Sequence, residues 1–142
     1  MIDDPYDLER FVGAQDADGT YTRALEELRQ AHKLSHWMWF LFPQIAGLGQ
    51  SPTSRKFAIS SLDEARAYMR HPVLGARLVQ CTAVLSEIRG RSAEHIFGPA
   101  DAQKLRSSMT LFRRVAPAEA GFGQVLDQYF DGQPDPATDA RL

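Results

Sequence analysis

Apolar residues recur along this chain at helical spacing, every three to four positions, and not in the alternation that is typical of strands. The clearest case follows Pro72, where Leu74, Leu78, Cys81 and Leu85 share one face. This pattern predicts a helix that buries one side in a core. No convincing strand alternation occurs elsewhere, so we expect an all-α fold, a single multihelical domain of about seven or eight short helices.

Capping residues predict where the helices begin. Ser61 is followed by Glu64, a capping box, and Gly90 stands where the helix after Pro72 would need a left-handed cap. A first helix is predicted to end near Gly13. Other starts are predicted at Asp4, Thr20, Ser35, Ser51 and Ser92.

The ends of the chain differ in composition from its centre. Residues 1–130 carry the helical pattern and are predicted to form the domain. The segment 131–142, DGQPDPATDARL, contains few apolar residues. Because burial of so little apolar surface cannot offset the entropy of ordering, we expect a flexible C-terminal tail.

Charge and cysteine content exclude several classes of protein. A net charge of -2 among 142 residues argues against a nucleic-acid partner. A lone cysteine, Cys81, cannot form an internal disulfide, which fits a reducing compartment. The N-terminus lacks the pattern of a signal peptide, and the longest apolar run, 37–43, is far below the roughly 20 residues that span a bilayer. We therefore expect a cytoplasmic protein that has no membrane partner.

The unusual part of the sequence is the segment 33–56, KLSHWMWFLFPQIAGLGQSPTSRK. Its first half, HWMWFLF, is predicted to be a helix that Pro43 terminates, with a strand as the alternative. Trp37 and Trp39 fit either core packing or an aromatic wall for a ligand. His36 is the candidate general acid or base, because the unperturbed pKa of histidine is near 6.5.

The second half places glycines before a predicted helix start at Ser51. Backbone N–H groups at such a start favour an anion, and Arg55 and Lys56 add positive charge. We expect a phosphate or carboxylate site there, with Gln44 beside it. The alternative is an ordinary capped helix.

Other polar residues fall on predicted core faces. Arg77 interrupts an apolar stripe, so it needs a partner: Asp101, with Glu64 and Glu94 as further candidates, or the anion of a ligand. Ser108 shares a helix face with Asp101, and a Ser108–His36–Asp101 triad is conceivable, although no G-x-S-x-G motif is present. His32 and His36 have the spacing of a zinc pair but lack a third ligand, so no metal site is predicted.

The chain resembles the DUF1810 family of proteins of unknown function in three segments, HWMWFLFPQIAGLGQS, HPVLGARL and FGPADAQKLRSSMTLF. The resemblance implies an all-helical fold and an intracellular setting, and it carries over no established activity. Some members are labelled calpastatin, a protease inhibitor. A long disordered inhibitor would not have the core that this chain predicts.

The sequence as a whole favours binding of a small anionic ligand, nucleotide-like or phosphorylated, beside HWMWFLFPQ and the glycine loop. The alternative is a protein-interaction domain that uses the aromatic cluster as a docking or homodimer surface. The sequence leaves open whether the protein is an enzyme, and it identifies no cofactor. The candidate ligand-binding residues are Lys33, Trp37, Trp39, Gln44, Gly49, Ser51, Ser54, Arg77, Asp101 and Ser108.

Overall fold

The structure, a computed structural model, describes residues 3–142 and confirms the all-α prediction. Within these residues there is no strand, only an isolated parallel bridge between Ile45 and Ile59. None of the helices described is both long enough and apolar enough to cross a membrane. The α-helices are α1 Glu9–Asp16, α2 Thr20–Arg29, α3 Met38–Leu41, α4 Pro52–Lys56, α5 Leu62–Arg70, α6 Leu74–Glu87, α7 Ala93–Phe97, α8 Pro99–Val115, α9 Ala120–Phe130 and α10 Pro136–Asp139, with a 3-10 turn at Ala17–Gly19.

Serine caps begin three of these helices, as predicted. The hydroxyls of Ser51, Ser61 and Ser92 each accept a hydrogen bond from the backbone N–H three residues later. The capping box is shifted by one residue, because the Glu64 carboxylate accepts from the N–H of Ser60 at 2.8 Å. Local sequence therefore defines these starts well.

Several predicted boundaries are wrong. Helix α1 begins at Glu9 and continues past Gly13 to Asp16, while the Asp4 carboxylate accepts from the N–H of Glu9 at 3.0 Å. Helix α2 begins at Thr20, but the Thr20 hydroxyl donates to the carbonyl of Ala17 instead of capping.

The end of α6 also differs from the prediction. The helix stops at Glu87, and Ile88 is already extended. Gly90 does have a left-handed φ of 75°, but it lies in the loop beyond the helix end.

Helix α8 is the centre of the core and contacts α3, α5, α7, α9 and α10. Leu105, Met109 and Phe112 on this helix are fully buried. The Phe112 ring lies 5.2 Å from Tyr68 on α5 and 5.9 Å from Phe122 on α9. Truncation of such a buried phenylalanine costs about 3–5 kcal/mol, so this stack contributes strongly to joining the three helices.

Arg77 on α6 has a different partner from the proposed Asp101. Its guanidinium forms an ion pair with Asp16 at 2.7 Å and donates to the side-chain oxygen of Gln15 at 3.2 Å. It also lies over the ring of Tyr21, 4.6 Å from the centroid. The structure thus links α6 to α1 and α2, because the fold brings the end of α1, and not the start of α8, to this face of α6.

Residues 131–142, for which composition predicts a flexible tail, lie against α8. Asp135 is 4% exposed and accepts hydrogen bonds from Ser107 at 2.8 Å and from the Thr138 hydroxyl at 2.6 Å. Arg106 on α8 donates to the carbonyl of Pro134 at 2.9 Å. These contacts are polar. The low apolar content of the segment, on which the predicted flexible tail depends, therefore does not indicate them.

Candidate functional site

Glu27 on α2 determines how the HWMW segment is folded. Its carboxylate is buried and accepts hydrogen bonds from the N–H groups of Leu34 at 2.8 Å and Ser35 at 2.9 Å, the Ser35 hydroxyl, and the indole N–H of Trp37 at 2.9 Å. Burial acts to raise the pKa of Glu27, but these donors outweigh it and lower the pKa to about 2. The carboxylate is therefore ionised and fixes the loop between α2 and α3.

The same network corrects the predicted conformation of this segment. Ser35 does not cap a helix, because its hydroxyl donates to Glu27. Helix α3 is confined to Met38–Leu41, and Trp37 before it has a φ of -136°. Trp37 has no exposed surface, so its indole is part of the core and not an accessible ligand wall.

Lys33 and Asp101 lie together in a cluster that joins this segment to α8. The Asp101 carboxylate binds the ammonium of Lys33 at 2.9 Å and that of Lys104 at 3.0 Å. Lys33 lies over the Trp37 ring at 5.0 Å and Lys104 over the Trp39 ring at 4.7 Å. Burial acts to raise the pKa of Asp101, but the two lysines lower it overall. The cluster fixes one face of Trp39.

Trp39 also borders a cleft of about 190 Å³ at the junction that follows Pro43. The junction is closed by two hydrogen bonds of 2.8 Å, from the N–H of Ile59 to Gln44 and from the N–H of Ala46 to Ile59. This closure brings α4 back against the residues after Pro43. The cleft is lined by Trp39, Gln44, Ile45, Ala46, Gly47, Gly49, Ser54, Arg55, Phe57 and Ala58.

Three side chains of this lining carry hydrogen-bond donors that have no acceptor among residues 3–142 and are accessible to solvent. The donors are the indole N–H of Trp39, the side-chain amide of Gln44 and the guanidinium of Arg55. The lining contains no carboxylate, and Arg55 contributes a positive charge. Such a cleft suits a ligand that offers acceptor oxygens, above all an anion.

Gly49 and Ser54 form the tight edge of the cleft. A Cβ on Gly49 would lie 2.6 Å from the Ser54 Cβ and 3.3 Å from the Trp39 ring, so a larger residue would not fit. The N–H of Ser54 donates to the Ser51 hydroxyl at 3.1 Å. Since Pro52 has no N–H, the start of α4 offers few free backbone donors, and the donors of the cleft are side chains.

His36 lies outside the cleft lining and is exposed, as is His32. In the part of the chain that the structure describes, no group of three histidine, cysteine or acidic side chains is arranged to hold a metal ion.

Ser108 is remote from the solvent, and its hydroxyl has no hydrogen-bond partner among the described residues. The conceivable triad is not assembled, because the Asp101 carboxylate binds two lysines and His36 is on the surface.

The structure thus separates the candidate residues into three groups. Trp39, Gln44, Gly49 and Ser54 line the cleft, and Ser51 lies at its edge through its bonds to Ser54. Lys33, Trp37 and Asp101 form the cluster behind Trp39, whereas His36, Arg77 and Ser108 do not line the cleft.

The patterns in the sequence do not indicate the lining residues Ile45, Ala46, Phe57 and Ala58, or Arg141, whose guanidinium lies on Gly47. Phe57 and Ala58 reach the cleft because Ile59 pairs with the chain near Gln44 and because Arg10 on α1 donates to the carbonyls of Lys56 and Ala58. The proximity of Arg141 depends on the packing of the C-terminal segment, for which the sequence has no local signal.

Comparison with known proteins supports the fold and leaves the activity open. The chain is similar to the conserved hypothetical protein Rv1873 from Mycobacterium tuberculosis, whose 1.38 Å crystal structure matches it with a TM-score of 0.95 and 50% identity over 98% of each chain. No curated protein matches the chain. The family model described as protein of unknown function (DUF1810) matches residues 5–142. Because that match spans nearly the whole sequence, the chain belongs to the DUF1810 family.

Proposed function

We propose that the cleft beside Trp39 binds a small anionic ligand, phosphorylated or nucleotide-like. The observation that carries this proposal is the set of donors on Trp39, Gln44 and Arg55, which line one cleft without an acceptor among the described residues. Trp39 and Phe57 add apolar surface on which an aromatic or sugar ring can pack. This pairing of one apolar wall with a few polar groups is typical of small-molecule sites.

The size of the cleft limits the ligand. Its volume of about 190 Å³ is below the range of roughly 300–1,000 Å³ that drug-sized ligands occupy. The cleft therefore suits a small ligand or one end of a larger one. For a nucleotide, either the base or the phosphate would be enclosed, and the rest would lie on the surface.

The lining favours binding over catalysis. It contains no histidine, cysteine, lysine or carboxylate, and Ser54 already donates its hydroxyl proton to the Ser51 carbonyl at 2.8 Å. General acid-base chemistry would need a titrating group within hydrogen-bond reach of the ligand. We therefore propose a binding role for the cleft alone.

A thermal-shift assay tests this role with AMP and ribose 5-phosphate, and with adenosine and ribose as uncharged controls. A ligand at 100 times its Kd stabilises the folded state by about 2.7 kcal/mol, which raises the Tm measurably. We expect both phosphorylated compounds to raise the Tm of the wild type. Arg55→Gln should reduce the shift, whereas Arg114→Gln, an exposed arginine at the end of α8, should not.

Tryptophan fluorescence provides a second test with ribose 5-phosphate, which does not absorb in this range. Trp37 is buried and Trp39 is partly exposed, so a ligand in the cleft should change the emission of Trp39 alone. The signal should disappear in Trp39→Phe. If the Tm and the emission of the wild type both stay unchanged with every phosphorylated compound, the proposal is wrong.

A second candidate function is self-association. Trp37 is buried and cannot contribute to a docking surface, but Leu34 beside it is 69% exposed. Leu34 borders a depression along α2 that is lined mostly by polar and charged residues, so it would supply the apolar centre of a contact with a polar rim. Light scattering distinguishes this function, because a homodimer through this surface should dissociate in Leu34→Ser. A wild type that is monomeric at high concentration would contradict it.

We propose a cytoplasmic setting for either function. The sole cysteine, Cys81, is buried and unpaired, and burial raises the pKa of its thiol to about 12. With a single cysteine the chain forms no internal disulfide, which fits a reducing compartment.

A further inference from the structure

We propose that Arg141 supplies a second cation to the cleft, so that its preferred ligands are phosphate monoesters, which carry two negative charges. This inference rests on the proposed binding of an anion and deepens it by naming the ligand class.

Arg141 lies on Gly47, a residue of the cleft lining. A Cβ on Gly47 would lie 2.2 Å from Nη1 and 2.6 Å from Cζ of Arg141, so the guanidinium fills the space that a side chain would take. Gly47 has a φ of 98°, in the region that favours glycine. The C-terminal segment and the glycine loop are thus in direct contact beside the cleft, although Arg141 is not itself part of the cleft lining.

The backbone of Arg141 is held in place while its guanidinium is not. The N–H of Arg141 donates to the carbonyl of Thr138 at 2.9 Å, and Thr138 is bound through its own N–H to Asp135 at 3.2 Å. The guanidinium itself has no hydrogen bond or ion pair with residues 3–142. It can therefore turn about the Arg141 side-chain bonds from Gly47 towards a ligand at little cost.

Among the charged groups near the cleft, Arg55 and Arg141 border the glycine loop without a carboxylate partner in the described part of the chain. Lys56 is also unpaired among residues 3–142, but its ammonium lies over the Phe57 ring, 5.3 Å from the centroid, and Lys33 and Lys104 share the single carboxylate of Asp101. Asp101 holds Lys104 at 3.0 Å behind Trp39, which leaves that ammonium paired. Asp63, which lines the same surface depression as Arg141, is paired with Arg66 at 3.0 Å. Two guanidinium groups thus border the glycine loop with no carboxylate partner within 4.0 Å among the described residues.

Two guanidinium groups select a ligand by its charge. A phosphate monoester carries about -1.5 to -2 at pH 7 and presents three oxygens, enough to accept forked hydrogen bonds from two arginines. A phosphodiester carries one charge and two free oxygens, so one arginine satisfies it. The site should therefore prefer the monoester.

Isothermal titration calorimetry at pH 8 tests this preference with ribose 5-phosphate and its methyl phosphodiester. We expect the wild type to bind the monoester more tightly. Arg141→Gln should weaken monoester binding by about fivefold, the upper range for an exposed ion pair, and change diester binding by less than about twofold. Arg55→Gln should weaken both ligands, and Arg114→Gln is the control for the loss of a remote positive charge.

The outcomes separate this inference from the proposed function. If the wild type binds both ligands equally, or if Arg141→Gln keeps the full preference for the monoester, Arg141 is not part of the site, although the cleft still binds anions. If neither ligand binds and Trp39 emission is unchanged, the binding function fails, and the role of Arg141 fails with it. Arg141 is exposed, so its substitution should leave the Tm without ligand unchanged, which verifies that the variant folds.

Discussion

The aromatic segment is held in place by hydrogen bonds to a single side chain, the carboxylate of Glu27. Its charge is balanced by four donors from Leu34, Ser35 and Trp37 and not by a cation. Hydrogen bonds to a charged group contribute about 1.5–3 kcal/mol each, and a buried donor left unpaired costs about 1–3 kcal/mol. Loss of this carboxylate should therefore affect the whole loop before α3.

Glu27→Gln should lower the free energy of unfolding by about 2–3 kcal/mol, because a side-chain amide can accept at one atom only and would place its own N–H groups against donors. Urea denaturation measures the change. The neighbouring Glu26→Gln is the matched control, since Glu26 is exposed, and its effect should stay within about 0.5 kcal/mol. Equal effects of the two substitutions would contradict the role of the network.

The free energy of unfolding should depend on pH through the protonation of the Glu27 carboxylate. The pKa of Glu27 is about 2 in the folded protein against an ordinary value of 4.5. Because the folded pKa is the lower one, the contribution of Glu27 is fully present above pH 4.5 and is lost as the pH falls from 4.5 to 2. It amounts to about 3 kcal/mol at 1.36 kcal/mol per pKa unit. Urea denaturation from pH 6 to 2 should therefore show a shallower loss in Glu27→Gln than in the wild type, and parallel curves would contradict this.

At the scale of helices, close approach of backbone decides whether α5 and α6 can pack. Gly75 in the first turn of α6 faces the end of α5, and a Cβ there would lie 2.2 Å from the backbone oxygen of Met69. A backbone atom cannot move aside as a flexible side chain can. The two helices therefore need glycine at this position.

Gly75→Ala should destabilise the protein by about 1–3 kcal/mol, the usual cost of overpacking, although alanine has the higher helix propensity. The matched control is Gly13→Ala in α1, where nothing lies within 4 Å of the added Cβ. That change should stabilise by about 0.5–1 kcal/mol. Thermal denaturation compares the two variants, and a gain of stability in both would show that α5 and α6 are not in tight contact.

Elements with strong local signals follow from the sequence, and elements without them do not. Helices α5 and α6 follow from their periodicity and from the cap at Ser61. Helix α3 is shorter than its predicted length. Ser35 and Trp37, which the prediction includes in the helix, form hydrogen bonds with Glu27 on α2 instead. Periodicity predicts which face a helix buries. It does not show that a side chain remote in sequence will bind the hydrogen-bond donors of the predicted first turn.

At the scale of the whole molecule, the C-terminal segment connects α8 with the glycine loop. Burial acts to raise the pKa of Asp135, but bonds from Thr138 and Ser107 lower it overall, so the buried group is a carboxylate. Its four side-chain hydrogen bonds hold residues 131–142 against α8. Through them Arg141 reaches Gly47.

Asp135→Ala should release this segment and speed amide exchange over residues 138–142, while amides of α6 and α9 stay protected. Hydrogen-deuterium exchange measures the effect, and Asp139→Ala is the control, since Asp139 is exposed. The wild-type experiment also tests the flexible tail that composition predicts. Fast exchange throughout 131–142 in the wild type would support that tail and would contradict the role of Asp135.

The packing of the whole molecule also determines which candidate residues come together in one site. The sequence predicts a ligand site within the segment 33–56. Four of its candidate residues line one cleft: Trp39, Gln44, Gly49 and Ser54. Arg77 and Ser108 are candidates in the sequence because they are polar residues on predicted apolar faces. Each of them lies outside the cleft lining, because the position of a residue on its own helix does not specify which helices face it.

Periodicity and capping depend on residues within a few positions of one another, so they predict the helical class, the serine caps and the segment that contains the cleft. The burial of Trp37, the accessibility of Trp39 and the pairing of Arg77 with Asp16 depend instead on how the helices pack. So does the contact of Arg141 with Gly47. These contacts join residues far apart in the chain, and they form only where packed helices and a buried carboxylate bring the two segments together.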